Sequence, residues 1–502
     1  MSKGLRATAA VISNDIESEG ASVPKQAAPV PLLIDLDRTL LRTDLLFETA
    51  LAYVTTRPHR IFDLAVWLFK GRAHLKRKLA EAATLELDLM PVNADVVALA
   101  EKAKAEGRPV FLVTASDAVL AERVASRFPF FDGVVSSNGA VNLKGLRKAE
   151  AIRERFPGDF DYAGDCAADL HIWRDAREVI AVAPSRSTLR RIRTLGKPTT
   201  VFDGKPRMPA LVRAMRLHQW AKNTLIFVPA ILSGQIVDPT TFANCCFAFL
   251  ALGLLAASTY LINDLFDLPH DRKHWSKSAR PIASGDLTIG AAIAAALVTG
   301  ALGLAIGAAI GMGVLLWLMA YLILTLAYSL KIKRLPILDV VALASLFTLR
   351  LAIGIEAADV YASPWLLVFS MFLFTSLSVA KRYTEIQRAV AKGDTEISGR
   401  GYIAIDGPLI LALGIASATG AVLILVLYLI FDAFSREFYQ NSVWLWFFPV
   451  IIFLWLSRVW LVSQRGELND DPVAFALKDR QSLVLGAALT LAFVMAWLGL
   501  LA

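Results

Sequence analysis

The sequence predicts two fold classes in series: an α/β domain built on a parallel sheet with a helical cap, then an all-α polytopic membrane domain of nine transmembrane helices. Three observations carry that prediction. The chain has 502 residues, of which 56% are hydrophobic and only 19% charged, and its mean hydropathy is +0.53; it is too long for one ordinary domain and too apolar for a soluble protein. Up to about residue 200, short apolar runs alternate with charged, amphipathic stretches, the pattern of buried parallel strands and their covering helices. Beyond Leu211 nine apolar stretches follow, centred near residues 225, 252, 299, 321, 346, 372, 419, 452 and 491, each near the ~20 residues that cross a bilayer.

Taken in order, residues 1–30 mix Ser, Ala, Pro and both charge signs with no basic segment leading into an apolar one, which predicts a disordered tail and no cleaved signal. Residues 31–200 hold the strand-like runs PLLIDLD, PVFLVTAS, DGVVSSN, DFDYAGD and EVIAVAP. A mainly helical insert from 41 to about 107 interrupts them as a cap, with a basic run at 72–78 that reads either as a solvated face or as a lid meeting anionic substrate or headgroups. The segment 186–207 is rich in Arg, Lys, Thr, Pro and Gly and reads as an exposed tether, leaving 201–210 as linker. The membrane domain then occupies 211–502, with its weakest span at 220–232.

Charge fixes an orientation. Loops 263–287, 331–336, 381–407 and 464–480 carry fifteen Lys and Arg, whereas the alternate loops 233–241, 310–312, 356–363 and 432–442 carry one, Arg436. By the positive-inside rule this predicts an inner-membrane protein whose N-terminal domain is cytoplasmic and whose C-terminus lies outside. The net charge of +8 is then a property of those loops, and nucleic acid is set aside as a partner. Cys166, Cys245 and Cys246 lack the number and spacing of a disulfide framework and read as packing residues. Nothing in the sequence assigns an oligomeric state.

In the first domain, the run 32–40 ends a buried strand with two carboxylates, Asp35 and Asp37, both able to face a site at the strand's C-terminal end. Thr114 closes VFLVT, Lys148 lies in GLRKAEAI, and Asp165 and Asp169 lie in GDCAAD. In this order the motifs resemble the haloacid dehalogenase (HAD) superfamily of aspartate-nucleophile phosphatases, with its Rossmannoid sheet and helical cap. The resemblance implies Asp35 as the nucleophile that becomes an aspartyl phosphate and Asp37 as general acid and base. It further implies Thr114 and Lys148 on the phosphoryl oxygens, and Mg²⁺ held among Asp35, Asp37, Asp165 and Asp169. Arg38 departs from the family, which often has a small residue there.

In the second domain, Asn263, Asp267 and Asp271 are spaced by four and predict one helical face, with Asp264 beside them. Carboxylates clustered at a membrane-helix end repel unless a cation joins them, so Mg²⁺ bridging to a diphosphate is the natural occupant. The bland alternative pairs these acids with Arg272 and Lys273. The run NDLFDLPHD followed by RPIASG resembles the UbiA prenyltransferase superfamily over 211–502. A second aspartate pair of the aromatic prenyltransferases is incomplete: Asp339 is followed four residues later by Leu343.

The runs RLHQWAKN (216–223), YSLK (328–331), KRYTE (381–385) and DPVAFALKDR (471–480) resemble the polyprenyl-phosphate (decaprenyl-phosphate) phosphoribosyltransferase branch. That branch implies transfer of 5-phosphoribosyl from phosphoribosyl diphosphate (PRPP) to a polyprenyl phosphate, with Mg²⁺ on Asp264, Asp267 and Asp271. It also implies substrate binding by Asn263, Lys222, Tyr328, Lys331, Lys381, Arg382 and Arg480. Arg350 and Glu356 read as an intramembrane pair across helices, structural or catalytic.

The expected protein is bifunctional, with the phosphatase domain hydrolysing a phosphomonoester such as the 5-phosphate of the transferase product. Three alternatives stay open: an aromatic prenyltransferase taking a polyprenyl diphosphate and 4-hydroxybenzoate, a cation pump, and a phosphatase-like domain reduced to docking. The order of the domains and the lack of a DKTGT context at Asp35 weigh against the pump.

Overall fold

The computed structural model describes residues 29–138, 141–393, 395, 400–435, 438–468, 475–476 and 478–499. The predicted tail, but for its last two residues, lies outside that range, as do residues 471–474 and 477 of the DPVAFALKDR run. Contacts divide the chain into two compact units, one comprising residues up to 39, 94–137 and 142–202, the other 40–93, 138–141 and 203–502.

The first unit is an α/β layer structure. Strands β1 (Leu32–Ile34), β2 (Val110–Asp117), β3 (Gly133–Ser137), β4 (Asp161–Gly164), β5 (Glu178–Val182) and β6 (Thr199–Phe202) form one parallel sheet in the order β3-β2-β1-β4-β5-β6. Every residue of β1 is buried, because this apolar run is the central strand, flanked by β2 and β4. Chain order reverses between β1 and β4, which opens a crevice at the carboxyl ends of the strands where ligands sit in such sheets.

Between β1 and β2 the chain leaves the sheet for α1 (Leu45–Thr56), α2 (Phe62–Phe69) and α3 (Arg72–Ala82), which cluster with the second unit. The insert is shorter than the expected 41–107. Helix α4 (Ala94–Ala105) returns to the sheet unit because it buries Val96, Ala100 and Ala103. Helices α5 (Ala118–Ala125), α6 (Leu146–Arg155), α7 (Leu170–Trp173) and α8 (Arg186–Arg193) complete this unit. The predicted tether at 186–207 is therefore mostly folded: α8 buries Thr188 and Ile192, and β6 pairs with β5 at the sheet's edge. Its arginines face outward from an edge layer, which is why composition alone reads as a tether.

The C-terminal part of the second unit begins with α9 (Arg207–Met215). A 3₁₀ run, Leu217–Phe227, then leads into α10 (Val228–Leu232). Helices α11 (Pro239–Phe266), α12 (Leu268–Lys273), α13 (Ile289–Ile310), α14 (Met312–Leu330), α15 (Leu338–Ala358), α16 (Pro364–Lys392), α17 (Gly407–Tyr428), α18 (Phe447–Gln464) and α19 (Arg480–Leu498) follow. Among the described residues eight helices are long and apolar enough to cross a membrane, which makes this a multi-pass membrane protein; nine were expected. The difference is the stretch 220–232. Arg216 enters it with φ +53, eleven residues wind as 3₁₀, and Pro229 sits in the first turn of a five-residue α10, so no helix of spanning length forms.

The insert docks on this unit through ions. Glu48 of α1 accepts two bonds from Arg272, at 2.6 and 3.1 Å, and a third from Thr43 at 2.5 Å, all nearly sealed from solvent. Arg42 reaches Asp286 at 2.6 Å, and Lys273 reaches Glu86 at 2.7 Å. The two cations that the bland reading assigned to the acidic motif are thus committed to the insert.

Candidate functional site

In the sheet unit the strand ends gather the predicted acids. Asp35, just past β1, is buried, and its Oδ1 accepts from Lys148 Nζ of α6 at 2.7 Å. Asp37 accepts from Ser116 at 2.6 Å, and Thr114 on β2 is fully buried beside that strand end. Past β4, Asp169 Oδ2 accepts the backbone amides of Asp165 and Cys166 at 3.2 and 3.1 Å, while Oδ1 accepts from the Tyr162 hydroxyl at 3.1 Å. Gly164 allows this loop its tight return, since a Cβ there would stand 2.7 Å from Asp169 Oδ2. Asp165, Cys166 and Asp169 bring their ligand atoms within 4.8 Å of one another.

Electrostatics at these strand ends favour a cation. Burial pushes the Asp165 carboxyl up to about 7, with Asp35 and Asp169 adding to the effect and Arg38 opposing it. Burial also raises Asp35, against the pull of Lys148, with Asp169 adding to the rise. Lys148 stays above its ordinary value although burial opposes it, because Asp35 and Asp169 face it. Asp165 Oδ2 is buried with no hydrogen-bond partner; only Arg38 approaches, at 3.4 Å. Hard carboxylate oxygens, crowded and one of them orphaned, fit a divalent cation such as Mg²⁺. Arg38 is held at φ +62, a left-handed conformation that brings its guanidinium over the site.

In the membrane unit the acidic motif does not keep one straight face. Asp267 caps α11, Pro269 lies in the first turn of α12, and the acids separate into a pair, Asp264 with Asp271, and Asp267 apart from them. Asp264 and Asp271 share Arg280 Nη1, at 3.1 and 2.6 Å, and Asp264 also accepts from Arg216. Asp267 accepts from Asn263 at 3.1 Å and from Lys333 at 3.2 Å. Burial raises the Asp271 carboxyl, with Arg280 opposing and Asp264 adding. Every acid of the motif already answers to a cation, and as clustered hard oxygen donors, with Asp264 and Asp271 buried, these carboxylates are of the chemistry that takes a divalent metal.

Beside these acids lies a cavity of about 250 Å³. Its wall carries Arg216, Lys222, Arg350, Lys381, Arg382 and Arg400, with Asn263, Tyr321, Thr325 and Tyr328, and no carboxylate. The Tyr328 hydroxyl accepts from Arg400 at 2.9 Å and from Arg382 at 3.4 Å. Arg382 is anchored from behind by Asp339 at 2.7 Å and by Glu385 at 2.5 Å; Asp339 also accepts from Tyr402 at 2.6 Å. Asp339, the lone remnant of a second acidic motif, is therefore a buried support for Arg382.

Of the predicted binding residues, Asn263, Lys222, Tyr328, Lys381 and Arg382 line the cavity. Lys331 and Arg480 do not: both are exposed, Lys331 at the end of α14 and Arg480 at the first residue of α19. Two residues beyond Lys331, Lys333 turns inward instead. Arg350 does not pair with Glu356, since the two sit six residues apart on the same helix, a spacing that puts them on different faces. Sequence reasoning assigned no role to Arg216, Arg280, Lys333 or Arg400, although Arg216 and Arg280 lie inside the quoted motifs.

The profile of the UbiA prenyltransferase family matches residues 224–478. Over 469 residues the chain is 39% identical to the uncharacterized protein y4nM of Sinorhizobium fredii, covering 93% of this chain and 91% of that one. It is 32% identical over 288 residues to the nodulation protein NoeC of Azorhizobium caulinodans, covering 56% and 92%. With the decaprenyl-phosphate phosphoribosyltransferase of Corynebacterium glutamicum it shares 31% identity over 224 residues, covering 44% and 65%.

Proposed function

The chain belongs to the UbiA prenyltransferase family, and from that premise we propose that its membrane unit transfers a 5-phosphoribosyl group from PRPP to a polyprenyl phosphate. One observation carries the reading: six cationic side chains converge on one acid-free cavity beside the acidic motif. Such a wall suits substrates with several phosphate groups. The similarity to a decaprenyl-phosphate phosphoribosyltransferase supports the same substrate pair. The aromatic prenyltransferase reading loses its second metal site, because Asp339 is spent on Arg382 and Tyr402 and position 343 is Leu.

Asp264, Asp267 and Asp271 would hold Mg²⁺, which when bound supplies positive charge to the departing diphosphate. Arg216, Arg280 and Lys333 place further positive charge around those acids. Lys222, Lys381, Arg382 and Arg400, with Tyr328, hold phosphate oxygens and orient the two substrates. The bond from the anomeric carbon to the diphosphate oxygen breaks, and a lipid phosphate oxygen takes its place, so no protein nucleophile is needed.

The sheet unit carries the second proposed activity, hydrolysis of a phosphomonoester by a HAD-type mechanism. Lys148 holds Asp35 Oδ1 and leaves Oδ2 to attack phosphorus; Asp37, steadied by Ser116, donates the proton to the leaving oxygen. Asp35, Asp37, Asp165 and Asp169 are the residues that would hold Mg²⁺ there. The loop charges support an inner-membrane location with the sheet unit cytoplasmic. Purified protein incubated with Mg²⁺, a polyprenyl phosphate and labelled PRPP should yield a labelled polyprenyl-phosphoryl ribose by mass. Label found only in free ribose 5-phosphate would refute the transfer.

A further inference from the structure

Arg350 stands about midway along α15, a membrane-spanning helix, and is 95% buried. Its guanidinium donates to Asn223 Oδ1 at 3.1 Å, to the Leu346 carbonyl, and to the Tyr321 hydroxyl at 3.3 Å. Its charge centre lies 5.2 Å from the Tyr321 ring and 5.1 Å from the Phe347 ring. All these partners are neutral, and among the described residues no ion pair within 4.0 Å joins it to a carboxylate. A full positive charge held in a membrane interior by dipoles and rings alone is costly, and such groups mark ligand paths.

Two neighbouring side chains carry unused hydrogen-bonding atoms. Asn223 is 99% buried, and because its Oδ1 faces Arg350 its Nδ2 hydrogens are left without an acceptor. Thr325 lines the cavity one turn beyond Tyr321 on α14, and its buried hydroxyl likewise has no partner. A guanidinium, an amide and a hydroxyl, none of them answered by an anion, call for a ligand rich in acceptors.

Position separates this place from the rest of the cationic wall. Tyr321, which marks Arg350, and Tyr328, which gathers Arg382 and Arg400, are two turns apart on one face of α14, roughly 10 Å along the axis. One diphosphate cannot occupy both. We infer that Arg350, with Asn223 and Thr325, forms a second anion subsite that binds a phosphate monoester, apart from the diphosphate locus at the acidic motif. The choice of ligand rests on the transfer reading above, in which either the donor's 5-phosphate or the acceptor's lipid phosphate supplies such a group.

The test is binding, not turnover. The detergent-solubilised full chain is titrated by calorimetry with ribose 5-phosphate and, separately, with farnesyl phosphate, in wild type, Arg350→Gln and Arg350→Lys. Arg350→Gln should weaken one of the two about 10- to 100-fold, as expected for loss of a charge-assisted contact, with Arg350→Lys in between because it keeps the charge but not the fork. Loss confined to ribose 5-phosphate assigns the subsite to the donor, and loss confined to farnesyl phosphate assigns it to the acceptor. Arg350→Gln should melt no lower than wild type without ligand, since it removes an uncompensated buried charge. Unchanged affinity for both probes in a folded Arg350→Gln protein overturns the subsite. Because neither probe alone undergoes transfer, and with a chelator present neither is hydrolysed by the sheet unit, a protein that binds one through Arg350 yet transfers no phosphoribosyl group would refute the transfer reading alone.

Discussion

Asp165 shows how a single carboxylate can store the demand for a metal. Burial, with Asp35 and Asp169 adding and Arg38 opposing, pushes its carboxyl up to about 7. A carboxyl whose folded pKa lies above its unfolded value penalises folding where it must be ionised. The penalty is full above about pH 7 and fades as pH falls toward 4, where the unfolded chain also binds the proton. In chelator, Asp165→Asn should therefore melt higher than wild type at pH 8, by up to about 4 kcal/mol, with the gap closing by pH 4. A constant gap across that range would show that ionisation is not the cause.

The acidic motif invites a residue-level test as well. Asp267 is the better target because its own carboxylate is about a third exposed, whereas Asp271 and Asp264 are buried and share Arg280. Asp267→Asn should abolish phosphoribosyl transfer and leave hydrolysis of a small phosphomonoester unchanged; full transfer activity would exclude the motif from catalysis. Legibility at this scale followed chemistry. The carboxylates were readable because their spacing has few uses, and Lys148 because it completes them. Arg216, Arg280 and Lys333 were not, since an arginine or lysine near a membrane helix end is already accounted for as an interfacial anchor.

Elements report a different kind of constraint. The run 220–232 reads as a weak span, but its first part lies in the 3₁₀ segment Leu217–Phe227 against α15, and Gly354 is what permits it: a Cβ there would come within 2.1 Å of the Ile226 carbonyl oxygen. Backbone cannot yield as a side chain does, so Gly354→Ala should lower the melting temperature sharply and reduce yield, by overpacking beyond the usual 1–3 kcal/mol; an unchanged melt would mean that the two segments separate freely. Hydropathy could not reveal this, because it counts apolar residues and is blind to which backbone they must touch.

Helix α1 is held to the membrane unit by Glu48 and Arg272. Glu48→Leu alone should cost about 3–5 kcal/mol by leaving Arg272 buried and unpaired, while Glu48→Leu with Arg272→Met should recover most of the loss. Additive losses in a thermal double-mutant cycle would mean that the pair has no mutual dependence. The strands, by contrast, were legible one by one as short β-rich runs. The edge strand β6 alone escaped, half-exposed and set in an arginine-rich context.

At the scale of the molecule, the two proposed chemistries would share one chain. The proposed transferase product retains a ribose 5-phosphate, and a phosphomonoester of that kind is what Asp35 and its neighbours are proposed to hydrolyse. The fifteen-to-one loop asymmetry supports a cytoplasmic side for both the N-terminal unit and the acidic motif's loop, so a lipid product would meet both without crossing the bilayer. Tethering then raises the effective concentration of one activity for the other's product. Asp35→Asn keeps the shape of the site, but its amide cannot accept the phosphoryl group. With labelled PRPP and a polyprenyl phosphate, wild type should release polyprenyl-phosphoryl ribose, whereas Asp35→Asn should accumulate the same lipid heavier by one phosphate, at an unchanged rate of pyrophosphate release. Equal masses from the two proteins would break the sequence of reactions while leaving the transfer intact. A fall in pyrophosphate release would instead mean that Asp35 supports the membrane unit, in which case the two halves do not work as successive enzymes.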